Sequence, residues 1–345
     1  MRTRSALVLS AVLMGSISAP ARAQSLSEVF RNVNPSVVVV LTREKEVAPV
    51  PGAQPASVAG LGSGVLVSDD GKVLTAAHVV QTADTIVVQF LTGEVLKARV
   101  VSSEPAADVA LLQLERPPLS PLAARLGDSD AVEVGDQVFV VGAPLGIGHT
   151  LTVGHISARR GPNATLAGLS LAELFQTDAT ITEGDSGGPL FNMAGEVIGV
   201  VSHILSHSGG SEGLGFAVTS NLARQLMLEE RSLWSGLSGY MISGDLGQVF
   251  NLPPPGSGLL VQKIASGSPA ERIGLRAGTL RAIIGNEEII VGGDVILAIQ
   301  GVPLAAPDSY LLARRKVGEM RPGEQITVTV LRAGTRLELT GTADP

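Results

Sequence analysis

From Val37 onward the chain is written as short apolar runs broken by turn residues, and no other feature narrows its fold so far. The runs include Val37–Leu41, Gly64–Val67, Val73–Ala77, Thr85–Phe90, Val95–Val101, Val109–Leu114, Gln137–Val141, Leu151–Ile156, Val197–Val201 and Gly215–Val218. Asp69-Asp70-Gly71, Thr92-Gly93 and Ala194-Gly195 punctuate them with residues that turn a chain sharply. Segments this short, rich in Val, Ile, Leu and Phe, read as strands, and their number predicts a barrel or sandwich. The 41 glycines and 20 prolines agree, since both residues interrupt long helices. With no cysteine, such a fold holds by packing alone, and thiol catalysis, Cys-ligated zinc and disulfides are excluded.

Helical patterns are few. Ser25–Val33 reads as a short amphipathic helix closed by Asn34-Pro35, and Asn221–Leu233, capped by Ser220, as a second. The composition changes at Ser235-Gly236-Leu237-Ser238-Gly239, which predicts a domain boundary there. Beyond it lie strands at Gly258–Lys263, Asp294–Gln300 and Gln325–Leu331, with helices at Pro269–Ile273 and Pro307–Val317. At roughly 150 residues per domain, 345 residues accommodate two. A content of 45% apolar and 17% charged residues is that of a globular chain, and the formal charge of −7 removes the case for nucleic-acid binding.

The N-terminus carries an export pattern. Arg2 and Arg4 precede an apolar stretch from Ala6 to Ala19, and Ala21-Arg22-Ala23 follows as an A-x-A cleavage site. About 14 residues are too few to span a bilayer comfortably, which favours cleavage over an anchor. Residues 1–23 are therefore read as a signal peptide cleaved after Ala23, with the mature protein periplasmic and without a stable membrane span. The leader holds Arg2, Arg4 and Arg22 and no acid, so its loss deepens the negative charge by three.

Chemistry concentrates in Gly184-Asp185-Ser186-Gly187-Gly188-Pro189. A serine nucleophile needs a sharply bent backbone whose N–H groups point at the developing oxyanion, and glycines supply that bend. Alone, the string also fits a turn with an incidental serine. Two further residues decide between these readings. Thr75-Ala76-Ala77-His78 places a histidine at the end of an apolar strand, and Asp108 precedes the strand Val109–Leu114. A nucleophile, a general base and an acid that orients the base make a triad, and the order His78, Asp108, Ser186 is that of chymotrypsin-like β-barrels. Gly184, Asp185 and Ser186 form the expected oxyanion loop, with the N–H groups of Gly184 and Ser186 as donors.

Several segments extend the pattern: Leu61-Gly-Ser-Gly-Val65, Val73-Leu-Thr-Ala-Ala-His-Val-Val80, Asp108-Val-Ala-Leu-Leu112, Gln176-Thr-Asp-Ala-Thr-Ile181, Gly184-Asp-Ser-Gly-Gly-Pro-Leu190, Gly195-Glu-Val-Ile-Gly199 and Gly213-Leu-Gly-Phe-Ala-Val218. In this order they resemble the HtrA/Deg serine proteases from about Ser27 to Leu233. Gly258-Leu-Leu-Val261, Gly267-Ser-Pro-Ala270, Ile273-Gly-Leu-Arg-Ala-Gly278, Gly293-Asp-Val-Ile-Leu297 and Ile326-Thr-Val-Thr-Val330 resemble the PDZ domain these proteases carry.

The resemblance implies a mainly β fold: a chymotrypsin-like double β-barrel protease domain over residues 24–234, then one α+β PDZ domain over residues 235–345. It implies that the strand Val200–Ile204 pairs with substrate backbone, which makes Ser202, His203, Ile204 and Leu205 the substrate-binding residues. The Ser202 hydroxyl is expected to support the triad acid, and Ile204 and Leu205 to lie near the S1 pocket. With no charge at the pocket base, small to medium aliphatic P1 residues are expected. Tyr240, Met241, Ile242 and Ser243 fall where a PDZ carboxylate-binding loop is expected, with Ser309–Val317 as the groove wall. The implied partners are unfolded or misfolded protein substrates, C-terminal peptides at the PDZ domain, and further copies in a homotrimer or larger assembly, for which Phe30 is a candidate anchor. No cofactor or metal is expected.

Three departures from the family stand out. Family members usually carry Asn where Asp185 stands, and Asp185 is expected to pair with Arg159 or Arg160. The loop between Leu41 and Leu61 is short for members with a long cage-forming arm. Thr279–Gly292 is an extra stretch, expected as a β-hairpin or packed loop. His203 and His207 stand i,i+4 on a strand-to-loop segment without a zinc-protease context, and His149 and His155 read as surface or loop-packing residues. The competing function is a binding protein, a holdase or PDZ scaffold for unfolded chains whose protease is kept off.

Overall fold

The structure, a computed structural model, describes residues 24–45, 56–162, 169–204, 212–230, 233–284, 287–305 and 307–342. Strands β1 (Val37–Lys45), β2 (Ser57–Leu66), β3 (Lys72–Thr75), β4 (Thr85–Phe90), β5 (Val95–Glu104) and β6 (Val109–Leu114) close an antiparallel barrel in the order β1-β2-β3-β6-β5-β4. A second closed barrel, in the order β10-β11-β12-β9-β8-β7, is built from β7 (Gln137–Gly142), β8 (Thr150–Arg160), β9 (Leu174–Thr177), β10 (Pro189–Asn192), β11 (Val197–Ile204) and β12 (Gly215–Thr219).

Side chains alternate across a strand, and here both faces of the central strands are buried. Val38, Val40, Val88 and Leu112 fill the first barrel, while Val37, Val109 and Leu111 on the same strands face the seam between barrels. Val138 and Val140 fill the second barrel, and Phe139 and Val141 join the seam. There Phe139 stacks on Phe191 with centroids 5.1 Å apart. Burial on both faces is why these strands are unbroken apolar runs in the sequence rather than alternating ones.

Two helical segments seal the seam. Helix α1 (Leu26–Val33) starts with a capping box between Ser25 and Glu28 and buries Val29 in the seam, with Phe30 and Val33 packed beside it. Helix α2 (Ala77–Val80) interrupts the strand expected at Val73–Ala77, which ends at Thr75. Helix α3 (Ser220–Arg224) has Thr219 at its N-cap position, without a side-chain capping bond, and runs into a π turn, Gln225–Glu229, that buries Leu226 and Met227. The helix expected over Asn221–Leu233 thus ends early, and the cap lies one residue before Ser220.

The third sheet has the order β13-β14-β17-β19-β20, from β13 (Leu237–Ile242), β14 (Gly258–Ile264), β17 (Val295–Ile299), β19 (Gln325–Arg332) and β20 (Thr335–Thr342). Its helices are α4 (Gly244–Val249), α5 (Pro269–Arg272) and α6 (Pro307–Gly318), and a short strand, β18 (Val302–Pro303), pairs with β17. The extra stretch is a hairpin, β15 (Leu280–Ile284) with β16 (Glu287–Val291), and Ile289 packs beside Leu260 and Val295. Polar side chains join this sheet to the first barrel. Lys263 Nζ donates to Glu44 (2.7 Å), Ser266 N–H to Asp84 (2.8 Å) and Gln81 Nε2 to the Leu237 carbonyl (2.9 Å). From α6, Tyr310 donates to Glu104 (3.0 Å), and Arg314 pairs with the same carboxylate.

Candidate active site

Asp108 sits on the turn between β5 and β6. Ala107 N–H donates to the Glu104 carbonyl and Asp108 N–H to the Pro105 carbonyl, which folds the chain back into β6. Asp108 takes a left-handed φ of 54°, a region Asp tolerates better than most residues, and is buried. His78 lies on α2, behind the buried Ala76 and Ala77, whose small side chains let this turn sit on the barrel. Its Nδ1 stands 2.9 Å from both Asp108 oxygens, and its backbone N–H donates to Oδ1 at 3.0 Å. Because a carboxylate only accepts, Nδ1 carries the proton and Nε2 is left as a base. Desolvation works against both charges. The shared hydrogen bond and attraction outweigh it, so His78 is held above the usual imidazole value and Asp108 below the usual carboxylate value.

Ser186 faces this pair from the loop before β10. Its Oγ donates to the Ser202 carbonyl at 3.2 Å, and among the described residues that bond, not one to His78, holds it. Gly184 and Gly187 take φ values of 98° and 84°, backbone that only glycine adopts readily. At Gly187 a Cβ would also collide with Thr75 and the Ser63 backbone.

Ser63 was not singled out by sequence, although it lies within Leu61-Gly-Ser-Gly-Val65. It is fully buried on β2. Its Oγ donates to the Gly184 carbonyl (2.7 Å) and accepts from Ala143 N–H (2.9 Å), while its N–H donates to the Ser186 carbonyl (2.8 Å). One small side chain thus ties the nucleophile loop to both barrels. A polar residue between glycines in an apolar strand was the available signal.

The expected Asp185 ion pair is absent among the described residues. Arg159 pairs with Asp130 and Glu173, and Arg160 donates to Gln176, because both side chains leave β8 toward the surface. Asp185 instead accepts from Thr182 N–H (2.9 Å) and Thr182 Oγ1 (3.2 Å). It is buried against Gly142. Burial pushes its carboxyl up, and the two Thr182 bonds only partly oppose that.

Around the triad, Ser202 Oγ donates to Asp108 Oδ2, as expected for a residue that supports the acid. His203 lies next to it, its Nδ1 3.0 Å from Ser202 Oγ and its ring stacked on Phe216. Ile204 ends β11 half-buried, and Leu205, like His207, lies outside the described residues. The PDZ candidates stand apart on the third sheet. Tyr240, Met241 and Ile242 belong to the edge strand β13 rather than a loop, with Ile242 buried in the core, and Ser243 precedes α4. His149 Nδ1 is 2.7 Å from Asn34 Oδ1, and the His155 backbone N–H donates to Asp178 while its imidazole is exposed.

Two closed barrels with a His–Asp pair and a serine loop at their seam, followed by a mixed sheet, define a trypsin-like peptidase unit joined to a PDZ fold. The family model of the trypsin-like peptidase domain matches residues 62–200, and that of the PDZ domain matches residues 225–341. The probable periplasmic serine endoprotease DegP-like of Ectopseudomonas mendocina is 36% identical over 295 residues, 84% of this chain and 57% of that protein. The DegP-like protein of Pseudomonas savastanoi pv. phaseolicola is 31% identical, covering 97% of this chain and 74% of its own. The solved HtrA-type protease AlgW with decapeptide is 30% identical, with a TM-score of 0.53 over 93% of this chain and all of its own. The chain belongs to the HtrA/Deg family of serine proteases. It spans just over half the length of the first curated relative. Among the described residues no helix is long and apolar enough to cross a membrane.

Proposed function

We propose that the chain is an exported, periplasmic serine endopeptidase, cleaved after Ala23, with a protease domain over 24–234 and a PDZ domain over 235–345. The observation that carries this reading is the buried Asp108 holding His78 Nδ1–H at 2.9 Å, with Ser186 on the facing loop. Ser186 Oγ turns from the Ser202 carbonyl toward His78 Nε2, which takes its proton as the oxygen attacks the substrate carbonyl carbon. The Gly184 and Ser186 N–H groups receive the negative charge on the carbonyl oxygen. His78 then gives the proton to the leaving amine, and water repeats the sequence to release the acyl group.

Substrates are unfolded or misfolded envelope proteins, because a strand laid along Ser202, His203, Ile204 and Leu205 must be extended and accessible. Small to medium aliphatic P1 residues are the expected preference, with Ile204 and Leu205 at the positions that the family resemblance places near the S1 pocket. The edge strand β13 offers its backbone to C-terminal peptides at Tyr240, Met241, Ile242 and Ser243, with α6 as the groove wall. The assembly is a homotrimer or larger. Degradation of casein by the wild type and by Ser186→Ala, with and without C-terminal peptides, tests the reading. Loss of turnover in the variant supports it. No turnover from folded wild type under any condition favours a holdase or scaffold with the protease off.

A further inference from the structure

The hydrogen-bond array around Asp108 runs one residue further than a triad needs. Ser202 Oγ contacts two groups, Asp108 Oδ2 and His203 Nδ1, the second at 3.0 Å. A hydroxyl has one proton, and an ionised carboxylate can only accept. The Ser202 proton therefore goes to Asp108, and toward His203 the oxygen can only accept. His203 Nδ1 must then carry a proton, and the neutral ring has no second one, so Nε2 is a bare lone pair. That atom is buried and has no hydrogen-bond partner among the described residues.

The ring is fixed as well as protonated. It stacks on Phe216 of β12, with centroids 5.1 Å apart and planes within 17°. Among the described residues, the charged groups that act on it are Asp108 on the β5–β6 turn and His78 on α2. Burial holds His203 below the usual imidazole value, the Asp108 charge opposing and the His78 charge adding to that effect, so the neutral ring prevails at neutral pH.

We propose that His203 is a positioning residue for proteolysis: its Nδ1–H donates to Ser202 Oγ and so commits the Ser202 proton to Asp108. The proposal rests on the peptidase reading above. With the Nδ1 proton absent, His203 would compete with Asp108 for the Ser202 proton. With the imidazole absent, the hydroxyl would be free to rotate away. In either case Asp108 loses a donor, its full charge falls on His78, and the His78 pKa rises. Less of the base is then neutral at a given pH.

The test has two arms. In ¹⁵N-labelled Ser186→Ala protein, long-range ¹H–¹⁵N spectra of the histidines report the His203 tautomer, assigned by loss of its signals in a His203→Phe background. Protonation at Nδ1 is expected, and protonation at Nε2 overturns the proposal whether or not the protein cleaves anything. In the kinetic arm, His203→Phe keeps the stack and removes the donor. It should lower kcat about tenfold, the scale of one hydrogen bond to a charged network, and shift the acid limb of kcat/KM to higher pH. His203→Asn, whose amide can stand where Nδ1 stood, should restore most of kcat and the acid limb. His203→Gln, with its amide nearer the Nε2 position, should not. A phenylalanine variant that matches wild type, or an asparagine variant no better than glutamine, overturns the proposal. If the phenylalanine variant does not fold, the asparagine and glutamine pair decides. An inactive wild type counts against the peptidase reading, and the tautomer still decides the role of His203.

Discussion

The molecule has two seams of opposite character. Between the barrels lie Val37, Leu111, Phe139, Val141, Phe191 and Met227, with hydrocarbon on both sides. Between the first barrel and the third sheet lie Glu44, Asp84, Gln81 and Glu104, facing Lys263, Ser266, Leu237 and Arg314. Water cannot replace contacts of the first kind without loss, whereas it can compete for the half-buried hydrogen bonds of the second. The catalytic cleft is therefore built on the seam that stays shut. The polar seam reaches it through Glu104, which ends β5 and starts the turn that carries Asp108, and through Gln81, which closes the helix that carries His78.

The largest way to break this comparison is Phe139→Ala. It removes a ring buried in the apolar seam and should cost about 4 kcal/mol, measured by denaturant unfolding, with proteolysis lost in parallel. A loss under about 1 kcal/mol, the range of ordinary surface substitutions, would mean that the seam does not hold the barrels. Arg314→Ala comes next. It leaves the Glu104 carboxylate, 1% exposed, without its cation, while Tyr310, whose phenol burial pushes far up, still donates to it. The expected cost is about 3 kcal/mol, seen as faster amide exchange in β13 and α6 with β7 to β12 unchanged. Equal acceleration in both barrels would show that the polar seam is not separable.

The smallest effect is at Asp185, a buried carboxyl that accepts from Thr182 and has no cation beside it among the described residues. Its pKa is higher folded than unfolded, so the native state binds its proton more tightly and wild type gains stability as pH falls through the folded value toward the unfolded one. Asp185→Asn, which can still accept from Thr182, should raise stability by about 1 kcal/mol at pH 7. The gain should fade as pH drops through the folded pKa. A pH-independent difference would remove burial of the charge as its cause.

Much of the site was legible because its residue types are scarce and its spacing is local. Ser186 lies in a glycine string whose bend only glycine allows, and His78 and Asp108 flank runs that pack into one barrel. Strands were harder where they are short or begin badly. β9 spans only Leu174–Thr177, and β10 begins with Pro189, so neither announces itself. The Tyr240–Ile242 segment reads as a loop because its strand is an edge, secured on one side by β14.

Partners were the least legible of all. Both arginines proposed for Asp185 were plausible by charge, yet Arg159 was taken by Asp130 and Glu173 across the surface of the second barrel. Ser63 carries no motif that predicts what it touches, since it meets residues far away in sequence, and His203, though it touches its neighbour Ser202, is oriented by a stack on Phe216 of the adjacent strand. The sequence by itself determined the short-strand architecture and the residue types available for a serine nucleophile, because pleat alternation and glycine conformations are properties of neighbouring residues. Only the tertiary structure decided that Ser63 braces the nucleophile loop, that Asp185 meets Thr182 rather than Arg159 or Arg160, and that the Ser202 proton is directed to Asp108. Those are questions of which donor meets which acceptor, and packing brings the two together from distant parts of the chain.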